Sequence, residues 1–263
     1  MKKHLRVLRE LLRLRFQKLM MFRLSFFGPF LVDGSLFAVQ LLVFFAVYAN
    51  VDTIGTWGRG EMITYIGSFS LLNAVSMMIC FFGIVMIPDK IKSGEMDLYL
   101  TKPVSPLFRF TFENMNPGSA PLVIMSVLII AYGVSVSGVK PDAGSIAGYL
   151  FWMLIMQLLY YEMEVLMRTV TFYLVSASRL YQIEEASLDL CMKLPGIAFY
   201  GIYKVIFYFI LPYGIMATLP VQSLVGELTW QTGIAGIGVV AAFSMLTAFL
   251  WRNGIRHYNS ASS

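Results

Sequence analysis

The stretch MITYIGSFSLLNAVSMMICFFGIVM, residues 62–86, runs for twenty-five positions without one Asp, Glu, Lys or Arg. A bilayer core needs about 20 consecutive apolar residues of helix, so this run is long enough to cross a membrane by itself. Working outward, four further charge-free stretches reach or nearly reach that length: 114–139, 143–161, 205–226 and 228–250. A sixth, 24–48, contains a single acid, Asp33. Backbone polar groups in hydrocarbon must bond within their own segment, and the alternating ten-residue pattern of barrel strands is absent. The expected fold is an all-α polytopic membrane protein, one domain over 1–263 with six transmembrane helices.

Composition excludes the soluble alternative. Apolar residues make up 58% of the 263 and charged residues 13%, against about 25% charged in a typical globular protein. The mean hydropathy is +0.71. Cys80 and Cys191 stand far apart and form neither a disulfide framework nor a metal knuckle; packing is their simplest role. His4 and His257 lie near opposite ends among basic residues, and no metal site is expected. The first 23 residues carry eight Lys or Arg with no apolar core and small-residue cleavage site after them, so the first hydrophobic run reads as a retained anchor.

Lys and Arg in short loops set orientation. The N-terminal segment, the loop after the second span (Lys90, Lys92, Lys102, Arg109), the segment after the fourth (Arg168, Arg179, Lys193) and the tail (Arg252, Arg256) together hold 17 of the 20 cations. Arg59, Lys140 and Lys204 fall elsewhere. Both termini are therefore expected in the cytoplasm. Tyr48, Trp57, Tyr65, Trp230, Trp251 and Tyr258 near span ends fit interfacial aromatic belts.

Residues 162–195 carry Glu162, Glu164, Arg168, Arg179, Glu184, Glu185, Asp189 and Lys193, too many charges for a lipid-facing span. Two readings stay open. Either this is a cytoplasmic connection leading to a fifth span from about 200 to 217, or the fifth span runs from about 166 to 190, shielded inside a bundle. In the second reading residues 198–217 form a re-entrant hairpin broken at Pro212 and Pro220, since irregular backbone at membrane depth is tolerated only when buried in protein or lining a cavity. Both give six crossings.

Two segments carry a mechanism. In residues 1–23, Leu5, Leu8, Leu12, Phe16 and Leu19 recur at helical spacing while Arg6, Arg9 and Arg13 take other faces. This is an amphipathic helix suited to the headgroup layer and its anionic lipids. The same charges also serve a plain topology signal. A nucleic-acid patch is the weaker reading because the apolar face opposite would be left exposed.

The loop 88–119, PDKIKSGEMDLYLTKPVSPLFRFTFENMNPGS, is the more informative. It suggests helical pieces over 89–100 and 106–114, closed by residues 101–103 and by Asn116, Pro117 and Gly118. A bare connection needs only a few residues. About thirty, with Met96, Leu98, Tyr99 and Leu100 taken as exposed, suggest a docking surface.

The string SGEMDLYLTKPVSPLF followed by FENMNPGS resembles the cytoplasmic loop of ABC-type-two exporter permeases, in the branch with six-span subunits of this size. The basic start, the spacing of Pro195, Tyr200, Pro212 and Pro220, and the closing WRNGIRHYNSAS extend the likeness over nearly the whole chain. The resemblance implies a half-transporter in a bacterial cell membrane, working with a separate ATPase subunit and a second permease chain, identical or paralogous. It implies that a coupling helix in the 88–119 loop meets the ATPase through Ser93, Gly94, Glu95, Asp97, Leu98, Lys102 and Pro103. It also implies a re-entrant hairpin before the last span.

No GxxxxGK[ST] loop occurs, so this chain does not hold ATP in the P-loop manner; with the ATP-driven transport that the resemblance implies, ATP and Mg belong to the partner ATPase, and this chain is expected to bind no cofactor and to be no enzyme itself. Asp33 reads as a pathway or helix-pairing residue, or as an interfacial one if its span begins near Ser35; Pro212 is a pathway or packing position. Glu162 and Glu164 read as the end of the fourth span, and Glu184, Glu185 and Asp189 as partners of Arg179 or Lys193 or as facing an aqueous vestibule. Methionines such as Met77, Met78, Met86, Met153 and Met156 suit either promiscuous binding or core filling. A secondary transporter would need more intramembrane charge and a repeat between halves. An intramembrane lipid enzyme would need a buried catalytic constellation. Neither explains the long second loop.

Overall fold

The computed structural model describes residues 53–174 and 177–258, together with positions 10, 13, 34, 35 and 42. Arg6, Arg9 and Asp33 lie outside the described residues, as does the rest of the amphipathic segment and of the span 24–48 apart from those five positions. Arg13 is helical and exposed.

The first long helix, α1 (Arg59–Ile79), corresponds to the decisive apolar run but stops at Cys80. A short helix α2 (Phe81–Ile84) turns the chain aside. The small loop helices α3 (Ile87–Lys92), α4 (Asp97–Leu100) and α5 (Pro106–Glu113) follow. Then come α6 (Ala120–Ser137), entered through a 3-10 turn, and α7 (Ala143–Thr169), extended by a 3-10 turn to Phe172. The chain continues through α8 (Ser178–Lys193), α9 (Gly201–Val205) with a π-helical continuation Ile206–Ile210, α10 (Tyr213–Met216), α11 (Thr218–Val225) and α12 (Trp230–Arg256). Four helical segments are long and apolar enough to cross a membrane: Arg59–Ile79, Pro117–Ser137, Ala143–Phe172 and Trp230–Arg256. A bent pair, Gly201–Ile210 with Tyr213–Val225, makes a fifth if it is one broken span.

Small residues set the tightest helix contact. On α1, Gly60, Thr64 and Gly67 face Ile130, Gly133 and Ser137 of α6. A Cβ at Gly133 would stand 2.5 Å from the Thr64 amide nitrogen and 3.0 Å from the Gly60 carbonyl oxygen, closer than atoms of α1 allow. Lipid tails are as apolar as Leu, so helices in a bilayer associate by close packing rather than by hydrophobic expulsion, and small residues permit it. The core proper lies between α1, α7 and α10–α11, with Tyr65, Phe69, Met156, Leu159, Tyr213 and Met216 fully or almost fully buried.

Three sequence expectations change here. First, the fourth span does not end at Glu162: α7 continues unbroken through Glu162, Glu164 and Arg168, all buried. The charges survive because each finds a partner: Glu162 and Arg168 on other helices, and Glu164 in Arg168 on α7 itself. Second, residues 205–226 are not one straight span, because the chain bends by 79° between Ile210 and Tyr213. Pro212, buried at that bend, lacks the N–H that a continuing helix would need. Third, Lys193 does not group with the loop cations. The end of α8 lies beside the start of α1, where the Tyr65 hydroxyl donates to the Cys191 carbonyl and stands 3.3 Å from that of Leu194.

Candidate functional site

The loop after α1 is folded onto the end of the bundle rather than hanging from it. Gly83 meets the Phe110 backbone carbonyl where any Cβ would collide, so α2 packs flush on α5. Pro88 occupies the first turn of α3, Asp89 its start and Lys90 and Lys92 its last turn. That charge order complements the helix dipole.

The expected single helix over 89–100 is instead split. Ser93–Met96 form a turn in which Gly94 takes φ +76°, a conformation that costs glycine little and other residues more. The turn is closed by the Met96 amide donating to the Lys90 carbonyl, at 2.9 Å, and by an ion pair between the Lys90 and Glu95 side chains.

The turn delivers α4 with two faces. Met96 is fully buried and Tyr99 is 8% exposed. The Tyr99 ring stacks on Phe110 with centroids 4.3 Å apart, and the Arg109 guanidinium lies 4.3 Å from the Tyr99 centroid. Arg109 in turn pairs with Glu113 at 2.8 Å. Phe110 meets Trp251 of α12 edge-on, and Trp251 meets Phe172 at the end of α7. The anchor therefore reaches the ends of two long helices. Leu98 is 61% exposed and points the other way, with Leu100 beside it.

Hence Met96 and Tyr99, expected to be exposed, are the anchors. Their i, i+3 spacing places both on one side of a helical turn, the signal that could have separated them from Leu98.

The seven residues expected to meet an ATPase do lie together. Ser93, Glu95, Leu98, Lys102 and Pro103 are exposed, and Gly94 and Asp97 are half-buried. Glu95 is held by Lys90, whose hydrogen bond keeps its carboxyl below the usual Glu range and raises the Lys90 ammonium in return. Burial raises the Tyr99 phenol. Lys90, Met96, Tyr99, Arg109 and Phe110 are the supporting residues that motif reading missed.

A second cluster joins α7, α8 and α10 deeper in the bundle. Arg168 lies 3.1 Å from Glu164 one turn back, forms an ion pair with Glu184 of α8, and stacks 4.7 Å from the Tyr181 ring centroid. The Tyr213 hydroxyl donates to Glu184 at 3.5 Å. Glu162 accepts from Ser244 of α12. Glu184 was expected to pair with Arg179 or Lys193 or to face an aqueous vestibule; it is buried and its partner is Arg168, which the fold brings from 16 residues upstream. Lys193 pairs with Asp189 at 2.7 Å. Among the described residues no three His, Cys, Asp or Glu side chains group as metal ligands.

The arrangement is thus a bundle of membrane-length helices with a two-faced element packed across one end. No curated protein and no solved structure matches this chain. The family described as ABC-2 family transporter protein does match, over residues 35–262, and its span takes in the docked loop, the buried charge cluster and every described long helix. The chain belongs to the ABC-2 family of transporter proteins, and is a multi-pass membrane protein of that permease type.

Proposed function

We propose that this chain is the membrane subunit of an ATP-driven exporter, paired with a second permease chain and driven by a separate ATPase docked on the loop between α1 and α6. The observation that carries the reading is α4. A four-residue helix would not hold itself in water, yet here it is fixed by Met96 and Tyr99 while it presents Leu98 outward. A rigid element with an exposed apolar tip is what transmits a push from a partner into the bundle, because packed interfaces move as units rather than deforming continuously. ATP and Mg act on the partner. Closure of its two halves would favour one state of the bundle only through contacts that differ between the two states.

In this reading the loop end faces the cytoplasm, with both termini, in a bacterial cell membrane. The span 24–48 supplies the first crossing and α8 the fifth. Sixteen residues at 1.5 Å each give α8 a length of about 24 Å, and its two ends lie beside opposite ends of its neighbours. Residues 201–225 then form a re-entrant hairpin rather than a crossing.

Leu98→Glu tests the coupling. It replaces an exposed apolar tip with a charge and leaves the Met96 and Tyr99 anchors in place. Co-purification of the ATPase with the tagged chain in mild detergent should fall at least tenfold, with membrane insertion and thermal stability unchanged. Unchanged recovery of the ATPase would refute the docking assignment. Glu95→Lys is the poorer probe because it also breaks the pair with Lys90.

A further inference from the structure

The helix α8 has one face that a lipid bilayer cannot solvate. Glu184, Ser187 and Cys191 are buried against the bundle, whereas Arg179, Gln182, Glu185, Ala186, Asp189 and Lys193 are exposed. Positions 182, 185, 189 and 193 recur at spacings of three and four and form one continuous stripe along the helix. Of these groups Asp189 and Lys193 neutralise each other at 2.7 Å, and Arg179 stands at the first turn. Glu185, at the middle of the helix, makes no ion pair among the described residues.

Polar and charged groups at membrane depth face a bundle interior or water, not lipid. The span 24–48, whose only charge is Asp33, has too little polarity to complement such a stripe. A second copy cannot seal it dry either. If an identical chain, related by a two-fold axis along the membrane normal, covered this stripe with its own, the axis would run beside α8 and bring the two Glu185 side chains together at the same depth. Like charges driven together out of water are strongly unfavourable.

From this we infer that the exposed face of α8 lines a water-filled path through the assembled transporter, and that Glu185 gives the path a preference for cationic cargo, bearing an ammonium or guanidinium group. The inference rests on the reading of α8 as a crossing helix. Met192 and Ile183 flank the stripe, so the cargo meets carboxylate and apolar side chains together, which fits a cation carried on an organic body.

Charged, membrane-impermeant methanethiosulfonates test this, since they modify only thiols in contact with water. Cys80 and Cys191 are buried and give a low background. In reconstituted complex whose one change is Gln182→Cys or Ala186→Cys, the introduced thiol should be modified in each case. Leu154→Cys, on an apolar face that is 73% exposed, should stay inert. The trimethylammonium reagent should outpace the sulfonate reagent by on the order of tenfold beyond their ratio with a free thiol, the effect of one unit charge about a helical turn away in a hydrated cleft. Glu185→Gln should return that ratio to the free-thiol value, and Glu185→Asp should retain it.

Residues 182 and 186 as inert as residue 154 would overturn the water-filled path. Modification without charge preference, or a preference that survives Glu185→Gln, would overturn the role of Glu185. A missing ATPase partner would instead show in co-purification and leave this labelling pattern untouched, so the two readings fail separately.

Discussion

Replacing Arg168 with Met should be among the most damaging single changes outside the loop. Its side chain is 9% exposed, and those of Glu164 and Glu184 are each 3% exposed. The substitution roughly keeps the volume and removes the one cation that, among the described residues, pairs with both carboxylates. Breaking a buried pair from one side typically costs about 3–5 kcal/mol, because the charge left behind is no longer compensated. For a chain of this size that is a fall of roughly 6–20 °C in apparent melting temperature. The cost comes from the stranded charge rather than from lost packing, so neutralising the carboxylates should repair it. Glu164→Gln and Glu184→Gln added to Arg168→Met should recover most of the loss, and Gln at 184 still accepts from the Tyr213 hydroxyl. Fluorescence-detected size exclusion after heating in detergent reads both variants. If Arg168→Met melts with the wild type, Arg168 is not caged between the carboxylates. If the triple variant is no better than the single one, stranded charge is not the cause.

Two further outcomes follow from the same geometry. Gly133→Leu should pry α6 from α1 and cost about 1–3 kcal/mol as overpacking. Gly238→Ala, where a Cβ meets nothing within 4 Å, should be neutral or stabilising by up to about 1 kcal/mol through helix propensity; equal melting of the two variants would disprove the tight seam. The Lys90–Glu95 pair makes the loop pH-dependent with a defined sign. Glu95 is lowered, so its contribution is complete above the ordinary Glu value near 4.3 and is lost as pH falls through its depressed value. Lys90 is raised, so its contribution is complete below the ordinary Lys value near 10.4 and is lost as pH rises past it. Hydrogen exchange of amides 93–100, corrected for intrinsic rates, should therefore be flat between those values and rise outside them, and should also rise with salt. A midpoint near pH 7 would contradict the pairing.

Much of the architecture is written locally. Charge-free runs of membrane length need no knowledge of neighbours, so α1, α6, α7 and α12 were legible, and so was the surplus length of the loop before Pro117. The proline and glycine positions marked breaks but not their angles. Other features were not legible, for one physical reason. Whether a charged residue can enter a bilayer depends on what lies beside it in space, and hydropathy along the chain carries no record of that. Glu162 and Glu164 looked like the end of a span because Ser244 and Glu184, which help to house them with Arg168, lie far along the chain. Met96 and Tyr99 read as docking residues from sequence because nothing along the chain records that Phe110 and Trp251 stand behind them. Sequence alone determined that this is a helical membrane protein with one elaborate loop and the likeness of a transporter. Only the tertiary structure decided which charges are neutralised inside and which remain on an open face, because ion pairing and burial are properties of three-dimensional neighbours.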